Sequence, residues 1–170
     1  MAATTAVYQY TGSGPTGTSI TNLRYKTADD SSGTDTTYPL VKPSSGTNYS
    51  YVAWVALYVS VAPSTSITNI KWYSDGGGFG TGVTVKGIMT NTYAQATGTQ
   101  GTSGDLSSTV YTSGTDMFTY TSASPLSVTS AATTGTGRYS YYVASQMALS
   151  TSVSAGTLTA ETLTFRFDEL

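Results

Sequence analysis

Along nearly the whole chain, apolar residues recur at every second position, in short runs bounded by Gly, Pro, Ser and Asn. That period sends alternate side chains to opposite sides of an extended backbone, so it predicts strands rather than helices. The runs fall near residues 4–11, 19–26, 49–61, 67–74, 83–90, 117–121, 125–130, 138–150 and 158–168. In the run 49–61, Tyr49, Tyr51, Ala53, Val55, Leu57, Val59 and Val61 share one face and Val52, Trp54, Ala56 and Tyr58 the other. Both faces are largely apolar or aromatic, which predicts a central strand covered on both sides. The last run differs, because Leu163, Phe165 and Phe167 alternate with Thr162, Thr164, Arg166 and Asp168. That is the pattern of a sheet with one wet face.

Two stretches rich in Ser, Thr and Gly, 27–48 and 91–116, lack this period and predict long loops. No break in composition divides the chain, so a single domain over 1–170 is expected, with a possible short N-terminal arm at 1–6. About eight to nine strands joined by long connections can bury two inner faces by packing sheet on sheet. The expected fold is therefore all-β, a jelly-roll-like β-sandwich or another Greek key.

Composition sharpens this picture. Ser and Thr fill about a third of the chain, and charged residues only 9%, against about 25% in ordinary globular proteins. Thr, Val and Tyr suit a pleated sheet, and good surface helix formers are scarce. With 170 residues the chain can bury roughly 70% of the surface its unfolded form exposes. It has neither Cys nor His, which excludes disulfides, thiolate metal sites and imidazole ligation. The start, MAATTAVYQYTGSG, lacks the basic and apolar segments of a secretory signal. The apolar run Tyr51–Ala62 is too short to span a bilayer, so no membrane partner is expected. The sequon at Asn48, Tyr49 and Ser50 reads as chance in a chain without a signal.

The stretch Asp75–Gly82, DGGGFGTG, poses the sharpest chemical question. A dinucleotide fingerprint needs Gly at relative positions 1, 3 and 6 and then a helix, and no register of 76–82 fits. A P-loop needs Gly-Lys-Ser/Thr, whereas the next Lys here is Lys86, followed by Gly87, in a strand-period segment. The loop is expected to be a hairpin-type connection.

Asp29, Asp30 and Asp35 cluster in ADDSSGTDTT, and hard cations favour such loops. The alternating Asp/Asn calcium pattern is missing, so a solvated loop is the simpler reading. Asp168 and Glu169 are adjacent and should point to opposite faces, which makes them a poor acid–base pair. Glu161 reads as a charge near a strand start. No His is present to activate a Ser, and Ser-x-x-Lys is absent. No catalytic residues, cofactor or metal are therefore predicted. A net charge of −2 with scattered Lys and Arg provides no track for phosphates, so nucleic acid is not expected as a partner. Tyr8, Tyr10, Tyr139, Tyr141 and Tyr142 are candidates for an aromatic platform, for a glycan or a subunit interface.

The series LRYKTADDSSGTDTTYPLVKPSSGTNYSYVAWVALYVS, ITNIKWYSDGG, YAQATGTQGTSGD, SPLSV and SAGTLTAETLTFRFDE resembles a family of small tailed-phage virion proteins. The likeness runs in order and spacing over about residues 20–170. It implies a β-sandwich head component, made in the host cytoplasm, that decorates or cements the capsid exterior. In that family PSSGTNYSY leads into a long strand and AETLTFRFDE is the closing one. The implied partners are the major capsid protein and copies of the chain itself, as a trimer. The alternative is a tail-associated receptor- or glycan-binding module.

Overall fold

Thirteen strands form among the residues that this computed structural model describes, which are 2–34, 36–104, 109–130 and 134–170. They are β1 (Thr4–Thr11), β2 (Thr16–Ile20), β3 (Thr47–Tyr49), β4 (Ala53–Val61), β5 (Ile67–Ser74), β6 (Val83–Thr90) and β7 (Gly98–Thr99). There follow β8 (Ser103–Gly104), β9 (Thr115–Asp116), β10 (Leu126–Ser127), β11 (Gly137–Arg138), β12 (Tyr142–Ser150) and β13 (Leu163–Glu169). One helical turn, α1 (Thr109–Thr112), and a 3-10 turn, Met117–Thr119, complete the inventory. The main sheet runs β2-β1-β4-β12-β6-β9, with β11 also on β4 and β3 also on β12. A smaller sheet, β10-β5-β13, lies against it, and β7 and β8 form a separate ribbon. All pairings are antiparallel. The all-β sandwich expected from the period-two pattern is the fold.

β4 is central and doubly buried, as its sequence predicts. Val55, Leu57 and Val59 join Val85, Val143, Met147 and Leu149 of the main sheet against Ile67, Ile70 and Trp72 of β5. On the opposite face Trp54 and Ala56 pack with Tyr10, Tyr142 and Ala144, under Val110 of α1 and with Tyr93 alongside. Alternation therefore feeds two cores, one between the sheets and one outside the main sheet.

The number of strands exceeds the expectation because two long runs are interrupted, for identifiable reasons, and because the short strands β7, β8 and β9 form within the stretch 91–116, expected to be loop. Tyr49 pairs with Ala148 and Ala53 with Ser145, so four steps on one side meet three on the other. That is a bulge, and an extra residue inverts the facing of what precedes it. Tyr49 thus sits on the outer face, where its ring meets Tyr111 edge-on at 5.0 Å, instead of sharing a face with Ala53. Ser50 fills the gap in the ladder: its N–H donates to Met147 O at 2.9 Å and its Oγ accepts from Met147 N at 3.0 Å.

The run 138–150 divides likewise. Tyr139 N donates to Leu57 O at 2.9 Å, while Tyr141 N donates to Val128 O at 2.8 Å and Val128 N to Ile70 O at 3.0 Å. Residues 139–141 therefore leave the main sheet and tie it to the smaller one. Residues 21–26, expected as strand, depart from β2 after Ile20, with an isolated bridge from Lys26 to Pro39. The expected strand 117–121 is instead the 3-10 turn, with Asp116 Oδ1 accepting from Phe118 N at 3.0 Å and Met117 in the core. The expected strand 158–168 begins only at Leu163. At the N-terminus β1 starts at Thr4 and pairs there with Val61, so residues 4–6 of the expected arm belong to the sheet.

The double burial of β4 makes a measurable demand. Leu57→Ala should lower unfolding free energy by about 2–5 kcal/mol and Trp54→Ala by about 3–5 kcal/mol, from lost transfer energy plus the cavity left. Denaturant titration of the two variants checks this, and losses under about 1 kcal/mol for both would contradict a central β4.

Candidate functional site

The five tyrosines proposed as a platform do not form one. Tyr139 lies in the core between the sheets, 1% exposed, with its hydroxyl donating to Gly135 O at 2.8 Å. Tyr141 is half-buried in the tie between the sheets. Tyr8, Tyr10 and Tyr142 do meet on the outer face of the main sheet, together with Trp54, Tyr58 and Tyr93. Tyr8 stacks on Tyr58 at 4.2 Å, Tyr10 meets Tyr142 edge-on at 5.0 Å, and the Arg138 guanidinium lies 4.1 Å over Tyr142. Gly17 of β2 permits this, since a Cβ there would stand 2.9 Å from Tyr10 Cε1 and 3.0 Å from Tyr8 Cδ1. Tyr10 and Tyr142 are buried by these neighbours, so they act as packing. Within the same cluster Trp54 Nε1 is buried without a hydrogen-bond partner.

The glycine loop is a clasp. Gly76, Gly78, Gly80 and Gly82 have φ of 83°, 122°, 89° and 81°, a region that suits glycine. The Asp75 carboxylate accepts from Thr162 N at 2.8 Å and from Gly77 N at 3.1 Å, and Asp75 N donates to Thr162 O at 3.1 Å. These bonds hold the loop to the approach of β13 and hold the Asp75 carboxyl below the usual Asp range, Thr162 contributing most and Gly77 next. Glu161 crowds the same corner, its Oε2 standing 2.5 Å from where a Gly77 Cβ would be. The loop leads into a strand, β6, and not a helix, but it is not the expected hairpin: β5 lies in the smaller sheet and β6 in the main one, so the loop crosses between the sheets.

The acidic loop is likewise committed to the protein. Asp30 pairs with the buried Lys26 ammonium at 2.5 Å and accepts from Ser32 N at 2.8 Å. Lys26 thus supplies the cation that Asp30 faces. Asp35 lies outside the described residues, and among those described no three His, Cys, Asp or Glu residues gather as a metal site. At the C-terminus Asp168 accepts from Asn69 Nδ2 at 2.9 Å and Glu169 from Ala3 N at 2.7 Å, so the two carboxylates serve separate contacts.

A concave region of about 580 Å³ lies among Leu23, Tyr25, Leu40, Phe79, Leu149 and Leu158; two others are smaller. Between the sheets, on the side away from the tie, an apolar cleft of about 220 Å³ is lined by Val7, Ile20, Trp72, Phe79, Leu163 and Phe165. Outside the main sheet an open groove of about 480 Å³ is lined by Asp29, Asp30, Tyr38, Tyr51, Gln95 and Gln100. Three segments build it: Asp29 Oδ2 accepts from Gly12 N of the β1–β2 turn at 2.9 Å and from Gln95 Nε2 at 3.3 Å, while Tyr93 Oη donates to Gly12 O at 2.8 Å. Sequence reasoning picked out Asp29 and Asp30 of these groove residues. Tyr38, Tyr51, Gln95 and Gln100 come from separate loops and a bulge, and no spacing in the chain links them. No helix among the described residues is long and apolar enough to cross a membrane.

Two pH dependences follow. Burial above all pushes Tyr10, Tyr25 and Tyr93 up to about 12, against about 10 in an unfolded chain. The native state then holds protons that the unfolded state releases, so stability should fall as pH rises from 10 toward 12. Phenolate absorbance followed alongside circular dichroism should show these rings ionising together with unfolding; complete titration near pH 10 in a folded protein would contradict it. Asp75 has the opposite sign: its contribution is present above the unfolded Asp pKa of about 3.9 and is lost as pH falls through the lower native value. The gap in thermal midpoint between the protein and Asp75→Asn should therefore be widest near neutral pH and shrink below pH 4.

Compared with known proteins, the chain matches no family model, no curated protein and no solved structure. Its function is argued from its own residues.

Proposed function

We propose that the chain is a non-enzymatic structural subunit that decorates or cements the exterior of a phage capsid. The observation that carries this reading is the free edge of β2. Among the described residues β2 ends the main sheet with one neighbour, and its residues, Thr16 to Ile20, include no charge and no proline. Such an edge is ordinarily blunted by Lys, Pro or a bulge, because its free N–H and C=O groups recruit another strand. Left unguarded, it suits a protein whose partner is a lattice or another copy of itself. The low charge of the chain supports the same reading, since neighbouring copies on a dense surface repel one another little. Its resemblance to small virion proteins supplies the class of partner: the major capsid protein, with trimers of the chain as the docking unit. Each contact can be weak, because several per oligomer act through effective concentration.

A tail-associated receptor- or glycan-binding module is the second reading, favoured by the open groove beside Asp29. Purified protein mixed with heads that lack it decides between them. Saturable binding and a higher temperature of DNA release are expected, with Thr18→Lys, a charge placed on the β2 edge, weakening head binding by about tenfold, or 1.4 kcal/mol. Absence of head binding, with the protein located at the tail tip by labelling, would overturn the capsid reading.

A further inference from the structure

The groove outside the main sheet has an unusual inventory of polar groups. Tyr51, at the bulge before β4, is 8% exposed, with its ring against Gly98 of β7, where a Cβ would come within 2.8 Å of Tyr51 Cε1. The ring lines the groove, yet the Tyr51 hydroxyl has no hydrogen-bond partner among the described residues. By contrast the hydroxyls of Tyr25, Tyr93 and Tyr139 are bonded to Ser145, Gly12 and Gly135. Unlike Trp54 Nε1, the Tyr51 hydroxyl is not cut off from solvent, so it opens at the groove and is available to a ligand there.

The neighbours define what that ligand is. Asp29 has one carboxylate oxygen engaged, Oδ2, by Gly12 N and Gln95 Nε2, and its other oxygen remains an acceptor. Gln95, having donated through Nε2, keeps its carbonyl as a second acceptor, and the exposed Gln100 amide adds both a donor and an acceptor at the rim. Tyr51 is held as a donor, since burial and then the Asp29 charge push its pKa up. On the far wall Tyr38 is 38% exposed and offers an aromatic face. Its backbone is held at φ 58°, before Pro39, by Thr27 N and Oγ1, which both donate to Tyr38 O. Gly101, at φ 79°, lies beside that ring, where even a Cβ would make ordinary contact, 3.4 Å from Tyr38 Cδ1.

No Lys or Arg lines the groove, and Lys26 nearby is buried and paired to Asp30, so an anionic ligand would meet uncompensated carboxylate charge. Among the described residues a metal ion would find too few ligands. What remains is a ligand with many neutral groups that each donate and accept, carried on a frame with apolar faces. We infer that the groove formed by Asp29, Tyr38, Tyr51, Gln95 and Gln100 is a binding site for a neutral saccharide. Asp29 and Gln95 accept from its hydroxyls, Tyr51 donates to one, and the Tyr38 ring lies against a sugar face. Its volume of about 480 Å³ falls among small-ligand sites of roughly 300–1,000 Å³.

The inference does not depend on the capsid reading, because sugar binding and head binding are separate measurements. The probe is a printed array of neutral and acidic oligosaccharides, incubated with the full chain, followed by calorimetric titration with the strongest ligand. Retention of neutral glycans is expected, with Tyr51→Phe weakening affinity about three- to tenfold and Asp29→Asn at least as much. Tyr141→Phe, outside the groove, should change nothing, and the Tyr51→Phe thermal midpoint should match that of the parent. Should Asp29→Asn fail to fold, Tyr51→Phe decides alone. No retained glycan, a preference for acidic glycans, retention of peptides instead, or affinity indifferent to Tyr51→Phe would each overturn the assignment.

Discussion

The backbone of Leu57 is the junction on which the sandwich depends. Its carbonyl accepts from Tyr139 N and its N–H donates to Ser140 Oγ, both at 2.9 Å. Its side chain meanwhile sits in the core between the sheets. One residue therefore anchors the main sheet to the segment 139–141, which passes the hydrogen-bond chain on through Val128 to Ile70 of the smaller sheet. On this side the two layers are bonded together. On the other side, between β1–β2 and β13, they meet through apolar side chains and leave a cleft. Burial of backbone polar groups of β4 is tolerable where they find such partners, and the closed side supplies those of Leu57.

With so few charges, those present act as staples more than as solvating groups. Lys26 and Asp30 hold the loop after β2, Asp75 clasps the glycine loop to the approach of β13, and Asp29 joins the β1–β2 turn to the 91–97 segment. Arg138 and Arg166 lie over Tyr142 and Tyr73, where the guanidinium gains from the ring as well as from water. Exposed pairs are individually weak. Buried or backbone-directed charges such as Lys26 and Asp75 fix geometry, which long Ser/Thr/Gly loops would not fix by themselves.

How much of this was legible in the sequence depends on range. β4, β5, β6, β12 and β13 were legible because alternation is a local property, and burial on one or both faces writes it directly into the residues. The bulge at Ser50–Val52 was not, because an extra residue is visible only against the partner strand, and it moved Tyr49 to the other face. Met117 was apolar for a strand and for a core-facing 3-10 turn alike, and only the cap from Asp116 separates the two. The tyrosines failed as a platform for the same reason: Tyr139 and Tyr142 are three residues apart, but the crossing of 139–141 between the sheets puts them in different cores. Of the groove only the acidic pair Asp29 and Asp30 was legible, since its other side chains converge from positions 38, 51, 95 and 100.

These two kinds of surface bear differently on function. Apolar alternation is consumed by the fold, and what it leaves exposed is an uncharged edge at β2 and an open concavity walled by loops. An edge recognises backbone, so it distinguishes partners weakly and rewards repetition, as a lattice provides. A groove of fixed donors and acceptors distinguishes ligands by the penalty of leaving its groups unpaired, and works in a single copy. The Asp29 network ties the groove wall to the β1–β2 turn, and β2 begins four residues after Gly12. The groove wall and the β2 edge therefore belong to one hairpin, and whatever stiffens that turn would also stiffen the edge.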